Sequence, residues 1–494
     1  MPDLILALDF GASATKIAYR SGSTEGSSLF EVVMMPPDLE PIDRDKLERY
    51  QTRDTIVVSQ VPEIEEIWIE TKDKLYAVGH LARLFEPVDK IKDVKYEVAA
   101  YKTLAAMGYV LSTLTQQNQL PKKKNYKIAL AVVLPWEEFP DKDRFKSFLE
   151  LLLSNWKYRD TKWGIKLESF SVRQEGFGLF YLYQKSMFKP SLDRMAILMF
   201  GHRNISALYF KDKKLHSGSS PLLGFHQVFD RVAQSISWLD RQTIVKTFET
   251  IWQNHRQAFF KTTYIEKKPE NQPLLQRWRN KLGSYHHYVA IEMKFPNWAA
   301  LKPIQDLARA SDPDLRKREI NDIAHAIDLA LEEYIESFQK WYNSMFSEPL
   351  STILISGGAS WFIRPLLSEW FSEAIGVGFN LGYSNWLQRQ SEYKSAKFLD
   401  ELGLSIYLSN FPDSLSDLHK RRNWFHVNSI YRPYEANPRG IQKEIVKERP
   451  LYFTMSKYFQ LNNLNAYESF SLSYQRKADV IGLGAYLMDK TLKT

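Results

Sequence analysis

The sequence predicts an α/β protein built from two similar lobes, and three observations predict it. Strand-like and helical segments alternate along the chain, the order expected of sheets joined by helical crossovers. Residues 5–16, ILALDFGASATK, and residues 195–206, MAILMFGHRNIS, share one pattern: an apolar run, x-Phe-Gly, a short polar loop, then an alternating strand. At an offset of 190 residues Leu8 aligns with Leu198, Phe10 with Phe200, Gly11 with Gly201 and Tyr19 with Tyr209. Such self-similarity reads as an internal duplication. The length of 494 residues also argues for more than one core, because single cores stop growing near about 250–300 residues.

Taken in order, residues 4–20 alternate apolar and polar through DFGASA, as a β-hairpin does. SGSTEGSS (21–28) reads as a turn, and residues 34–50, with three prolines, as loop. TIVVSQ (55–60) reads as a strand, and EIWIETKDKLYAVG as a hairpin around KDK. Residues 96–119 carry helical spacing through Tyr101, Leu104, Met107, Val110 and Leu114. KIALAVVLP (127–135) is a buried strand stopped by Pro135; a helix over 141–157 and a strand in GIKLESFSVRQEG follow.

The second hairpin occupies 194–216, after which residues 226–264 read as helical and basic. A long helix is predicted over 320–346, where Ile327, Leu331, Tyr334, Ile335, Phe338, Trp341 and Met345 form one stripe. STILISGGASWFIRPLL reads as strand, Gly-Gly turn and helix, about 385–475 as irregular, and KADVIGLGAYLMDKTLKT as a core helix.

Composition narrows the function. Apolar residues are 44% and charged residues 25% of the chain, ordinary for a globular protein. The absence of cysteine excludes disulfides, thiolate metal sites and a Cys nucleophile, and fits a reducing cytoplasm, which is the expected location. No apolar run approaches the about 20 residues that span a bilayer, and MPDLILALDFG lacks the basic start of a signal peptide. A net charge of +8 tolerates an anionic partner without requiring one.

The chemistry concentrates at the two hairpins. A Gly with small neighbours at a tight turn lets backbone N–H groups form an anion-binding concavity. Asp9 suits a cation and Lys16 a phosphate, although a plain hairpin turn and a strand-edge lysine read the same way. Glu175 follows a strand in SVRQEGFGLFYLY, where a solvated strand-end Glu is the plainer reading. Gly357 and Gly358 mark either a ligand-facing or an ordinary strand-to-helix turn. No G-x-x-x-x-G-K-[ST] or G-x-G-x-x-G is present, which argues against a P-loop or dinucleotide fold.

In this order the segments 5–20, 168–184, 195–210, 352–368 and 476–490 resemble the phosphate 1, connect 1, phosphate 2, adenosine and connect 2 motifs of the actin-like ATPase superfamily. Within it, MFGHRNIS, HSGSSPLLGFHQV, SGGASWFIRPLL and KADVIGLGAY look most like the ParM/StbA class of plasmid-segregation actins. The resemblance implies two duplicated ribonuclease H-like lobes around a nucleotide cleft. Lobe I would span 1–170, with a small subdomain inserted at about 33–95, rejoined by 480–494. Lobe II would span 171–480, with a helical subdomain at about 230–345 and a further insertion at about 385–475.

It also implies roles. ATP or GTP with Mg²⁺ would be the ligand. Asp9 would lie by the metal, Gly11, Ala12 and Ser13 would offer amides to the phosphates, and Lys16 would approach them. Glu175 would be the catalytic group, orienting the attacking water. Gly201, His202 and Arg203 would form the second phosphate turn, and Gly357, Gly358 and Ala359 would pack on the nucleoside. The chain departs from the family at Met199, where hydrolytic members carry Asp. A thioether is a poor ligand for hard Mg²⁺. Weak or assembly-dependent hydrolysis is therefore expected, with Arg203 gained either beside the phosphates or toward solvent.

The implied partners are further copies of the chain, in filaments, and a DNA-binding adaptor of the ParR type, for plasmid segregation or a cytoskeletal role. A small-molecule kinase of the same superfamily and a non-filamentous nucleotide sensor are the alternatives. RQAFFKTTYIEKK, LLQRWRNKLGSYHHY and LHKRRNW suit a nucleic acid or, better, a filament or subdomain contact. His286–His287 lack a third ligand at metal spacing, and Glu65–Glu66, Glu137–Glu138 and Glu332–Glu333 read as solvated faces.

Overall fold

A computed structural model describes residues 1–22, 30–54, 63–85, 95–185, 194–266, 287–363, 397–400 and 477–491, apart from Asp73, Lys213, Lys294, Pro349, Ser351 and Trp361. Its strands, in chain order, are β1 (Leu4–Phe10), β2 (Thr15–Ser21), β3 (Glu31–Met35), β4 (Leu39–Ile42), β5 (Glu66–Thr71), β6 (Leu75–Gly79), β7 (Asn125–Leu134), β8 (Trp156–Tyr158), β9 (Thr161–Lys162) and β10 (Gly164–Gln174). They continue as β11 (Met195–Phe200), β12 (Ile205–Lys211), β13 (Lys214–Ser219), β14 (Phe260–Glu266), β15 (His287–Met293), β16 (Thr352–Ser356) and β17 (Lys397–Asp400).

Two five-stranded sheets carry the duplication. The first has the order β10-β7-β1-β2-β3 and the second β13-β12-β11-β16-β17. In each, three antiparallel strands lead to two that run parallel to the first. Numbered within each lobe, both read 3-2-1-4-5, the ribonuclease H-like order. The copy therefore extends to whole sheets. β1 is buried along its full length because both its faces are covered, which is why it reads as a nearly unbroken apolar run. Leu4, Leu6, Leu8 and Phe10 join Leu104, Met107 and Leu111 of the helix Lys95–Gln116. Ile5 and Ala7 join Val480, Leu483 and Leu487 of the helix Ala478–Thr491. β11 divides likewise: Ala196, Leu198 and Phe200 join Leu331, Tyr334 and Phe338 of the helix Pro313–Met345, and Met195 and Ile197 join Leu179 and Leu182 of the helix Phe177–Gln184.

Several expectations need correction. Residues 34–50 are not loop: Pro36 and Pro37 separate β3 from β4, and the helix Arg44–Asp54 follows. Pro41 is accommodated because β4 is an edge of the small sheet β4-β6-β5-β8-β9, where a missing N–H costs no ladder bond. The helix expected to reach 157 ends at Leu153, since Trp156 and Tyr158, 1% and 2% exposed, are drawn into that sheet as β8 beside β5. The helical run expected from 226 comprises the helices His226–Ser235 and Arg241–Asn254, then gives way to β14, rich in β-prone Thr262, Thr263, Tyr264 and Ile265, paired with β15. A short helix, Lys302–Gln305, follows.

The long helix starts at Pro313, earlier than its apolar stripe, because Asp312 caps it. The Asp312 Oδ1 accepts the Asp314 and Leu315 N–H groups at 3.1 and 2.9 Å, with proline at the first helical position. Within the stretch expected to be irregular, β17 pairs with β16 as the fifth strand of lobe II. TIVVSQ, LHKRRNW and the rest of 385–475 lie outside the described residues. Among the described residues no helix is long and apolar enough to cross a membrane.

Candidate functional site

The first turn is built by the β1–β2 register, which sets Asp9 opposite Lys16. The Lys16 Nζ meets the Asp9 carboxylate at 2.5 Å, with side chains 12% and 4% exposed. Gly11 leaves no room for a side chain: a Cβ there would lie 2.8 Å from the Ala14 carbonyl oxygen and 3.2 Å from the Lys16 Nζ. Gly11 and Ala12 are half-buried and Ser13 exposed.

The second turn repeats the backbone of the first. A Cβ on Gly201 would lie 2.8 Å from the Asn204 carbonyl oxygen, the same clash at the equivalent position, and the Gly201 N–H donates to that oxygen at 3.0 Å. The side chains differ. Met199 stands where Asp9 would be, and Ser206, its partner across β11–β12, stands where Lys16 would be. The ion pair of one copy is thus a thioether and a hydroxyl in the other. Met199 packs with the cluster of Leu179, Leu182, Met195, Ile197 and Phe210. Its Sδ lies near Gly176, 3.5 Å from where a Cβ would sit.

His202 and Arg203 bring little charge to that turn. Burial, then the neighbouring His226 ring, push the His202 pKa down to about 4, so it is neutral at pH 7. Its carbonyl accepts the His226 N–H at 3.0 Å. The Arg203 guanidinium is neither exposed nor unpaired. It meets Glu138 of lobe I, Nη2 to Oε1, at 3.6 Å, each side chain 15% exposed.

Glu175 follows β10, its N–H donating to the Leu134 carbonyl at 2.9 Å. At 8% exposed it is no solvated strand end. Its Oε2 accepts the Ser206 hydroxyl and, at 3.4 Å, the Asn204 Nδ2. Gly357, at φ +98°, turns the chain against the end of β11, where a Cβ would lie 2.3 Å from the Phe200 carbonyl oxygen. That carbonyl accepts the Ala359 N–H at 3.2 Å, while Gly358 is half-buried and Ala359 buried. The Gly357–Gly358 turn is thus fastened directly to the strand that carries the second phosphate-type turn.

Sequence reasoning missed Asp479. It is 1% exposed, in a helix start that otherwise reads as apolar core; a lone acid in so apolar a segment was the available signal. Its Oδ2 accepts the Gly176 N–H at 2.9 Å and its Oδ1 the Leu179 N–H at 3.2 Å, capping the helix Phe177–Gln184 from across the molecule. Burial, then the charge of Asp9, raise its pKa to about 7; Glu175 adds to the rise, and the two N–H bonds oppose it.

The two helices cross. Phe177–Gln184 leaves lobe I and packs on the lobe II sheet, while Ala478–Thr491 packs on the lobe I sheet. They meet at Gly178 and Gly482, where a Cβ on Gly482 would lie 2.0 Å from the Gly178 carbonyl oxygen. Two ribonuclease H-like sheets, each covered by the helix that links it to the other, decide the architecture. The fold is actin-like.

No protein-family model matches the chain, and no curated protein matches it. Among solved structures it is similar to a 15-stranded ParM filament from Clostridium botulinum, at 12% identity over 81% of this chain and 95% of that one, with a TM-score of 0.41. It is also similar to the Bacillus thuringiensis ParM in apo form, at 13% identity over 80% and 95% of the two chains, TM-score 0.35. A third likeness is to the Alp12 filament, at 12% identity over 81% and 94%, TM-score 0.38. The strand order and the crossing helices carry the fold assignment by themselves.

Among the described residues no three His, Cys, Asp or Glu side chains converge on a metal site. Three buried acids, Asp9, Glu175 and Asp479, nevertheless lie near the turns, with Lys16 paired to only one of them. A polyphosphate entering such an acid-rich region needs a counter-cation. One carboxylate suits Mg²⁺, which keeps several waters and takes substrate phosphates as ligands.

Proposed function

We propose that this chain binds ATP or GTP between its lobes and assembles into filaments, with slow hydrolysis. The observation that carries the reading is the turn copied with its backbone, Gly11 and Gly201 each closed on the carbonyl three residues ahead. Both turns lie beside buried acids and a lysine where the linking helices cross. The amides of residues 11–13 and of His202 and Arg203 take the phosphates, as glycine turns do, while the Gly201 N–H holds the turn shut on Asn204. Lys16 would turn from Asp9 to the phosphate oxygens, and Asp9 would be the residue to hold a nucleotide-bound Mg²⁺, which would supply charge offsetting that of the phosphates. Glu175, held by Ser206 and Asn204, orients water toward the terminal phosphate. The Gly357–Gly358 turn lies against the nucleoside.

Met199 removes the second carboxylate. Because charge stabilisation supplies most of phosphoryl-transfer catalysis, its loss raises the barrier by several kcal/mol. The filament reading rests on the resemblance of the sequence motifs to ParM-type actins, which also points to a cytoplasmic chain and a ParR-type adaptor joining it to DNA. Light scattering and pelleting with Mg–ATP and Mg–GTP, run beside phosphate release, test it. Pelletable polymer with slow release is expected; nucleotide bound without polymer refutes the filament. Met199→Asp is expected to raise phosphate release while lowering stability, since the carboxylate enters an apolar cluster.

A further inference from the structure

Beyond the nucleotide site, the lobes touch through a segment that no motif predicted. After β7, Pro135 turns the chain into the 3-10 turn Trp136–Asp141, which stays anchored on lobe I, through Phe139 and through the Tyr96 N–H donated to Glu138 Oε2 at 3.1 Å, and also touches the β13 edge of lobe II. The Trp136 indole lies against Gly218: a Cβ there would be 2.2 Å from the ring, so only glycine admits the contact. The Trp136 N–H donates to the Ser220 hydroxyl at 2.9 Å. The Glu137 Oε1 accepts the Ser220 N–H at 2.6 Å and the Ser219 hydroxyl at 3.4 Å. Glu138 pairs with Arg203 of the second phosphate-type turn. Three consecutive residues of one lobe thus engage four of the other, through a ring, a main-chain donor and two carboxylates. The expectation of a solvated face fails at Glu138, 15% exposed, for this reason, while Glu137 makes its contacts from an exposed position.

The contact also reaches the candidate catalytic group. The Ser220 hydroxyl donates to the Ser206 hydroxyl at 3.2 Å, and Ser206 donates to Glu175. A hydrogen-bonded line therefore runs from the Trp136 main chain to the Glu175 carboxylate, all of it inside the Glu175 flank.

We propose that the segment Trp136–Glu138 is an interlobe latch that holds the lobes closed on the Glu175 flank in the absence of nucleotide. Nucleotide then adds to a clamp already shut on one side, and loss of the latch makes closure depend on nucleotide. The Glu137–Ser220 contact is a charge-assisted hydrogen bond, the stronger kind, and the Glu138–Arg203 contact is an ion pair.

The chain has no cysteine, so paired spin labels can be placed without background. Ser147→Cys on the exposed face of the lobe I helix Lys142–Leu153 and Thr250→Cys on the lobe II helix Arg241–Asn254 report the lobe separation in the full chain. The nucleotide-free labelled protein is expected to give one narrow distance that Mg–ATP leaves in place. Adding Gly218→Val, which drives the indole off, is expected to broaden the distribution until Mg–ATP narrows it. Glu137→Ala tests the latch without touching the strand or the Tyr96 N–H that Glu138 accepts, and circular dichroism establishes that each variant is folded. A broad distribution in the unmutated latch, or an unchanged narrow one in both folded variants, overturns the proposal. Calorimetry on the same samples reads nucleotide binding separately. A latched protein that takes up no nucleotide sinks the functional reading and leaves the latch standing.

Discussion

Asp479 holds a carboxylate where water does not reach, within range of two other acids. Its pKa rises from the ordinary 3.8 to about 7. Between those values the native protein keeps a proton that the unfolded chain gives up, so stability falls as pH rises through the window and levels off above about 7. The full effect is roughly 4 kcal/mol at most. In buffer free of metal and nucleotide, the melting temperature is expected to drop between about pH 4 and about pH 7, and Asp479→Asn to remove that part of the drop. Equal pH slopes in parent and variant contradict it. Ser206→Ala leaves the buried Glu175 without its hydroxyl donor and is expected to cost about 1–3 kcal/mol of unfolding free energy, read by denaturant titration. These residues differ in how far sequence shows them. Gly11 and Gly201 are visible because a tight turn demands glycine locally. Asp479 is not, because its partners Gly176 and Leu179 lie about 300 residues away along the chain.

At the scale of elements, the two linking helices form one unit. Asp479 ties their starts, and the Gly178–Gly482 contact brings their axes together. Beyond the crossing, Tyr181 donates to Asp489 at 2.5 Å and Lys185 reaches the same carboxylate at 2.9 Å. Arg173 lies over the rings of Phe177 and Tyr486, 5.0 and 4.8 Å from their centroids. A methyl group at Gly178 would lie 1.8 Å from the Asp479 carbonyl oxygen. Gly178→Ala is therefore expected to destabilise the protein by about 3 kcal/mol, measured by thermal or denaturant unfolding. Strands buried on both faces, such as β1 and β11, were legible as apolar runs, and the long helix as a stripe. β4, β8, β14 and β17 were not. Each is short, or placed by a partner strand remote in sequence, and such pairing overrides local pattern.

At the scale of the whole molecule, one lobe design is used twice and its second copy has diverged at the site. Where the first copy sets Asp9 against Lys16, the second sets Met199 against Ser206, and the hydroxyl is turned to Glu175. The duplication was legible because sheet order and turn backbone are shared. The divergence was half legible: Met199 stood out, but the use of Ser206 and the pairing of Arg203 with Glu138 depend on the other lobe being present. The function proposed for this architecture is a clamp that takes a nucleoside triphosphate on two glycine turns. Isothermal titration of the full chain with Mg–ATP and Mg–GTP tests that claim most directly, with Lys16→Met as the control. Saturable uptake of one nucleotide per chain, weakened about tenfold or more in the variant, is the predicted result, since a charge-assisted contact to phosphate is lost. No uptake of either nucleotide, or equal uptake by the variant, contradicts it.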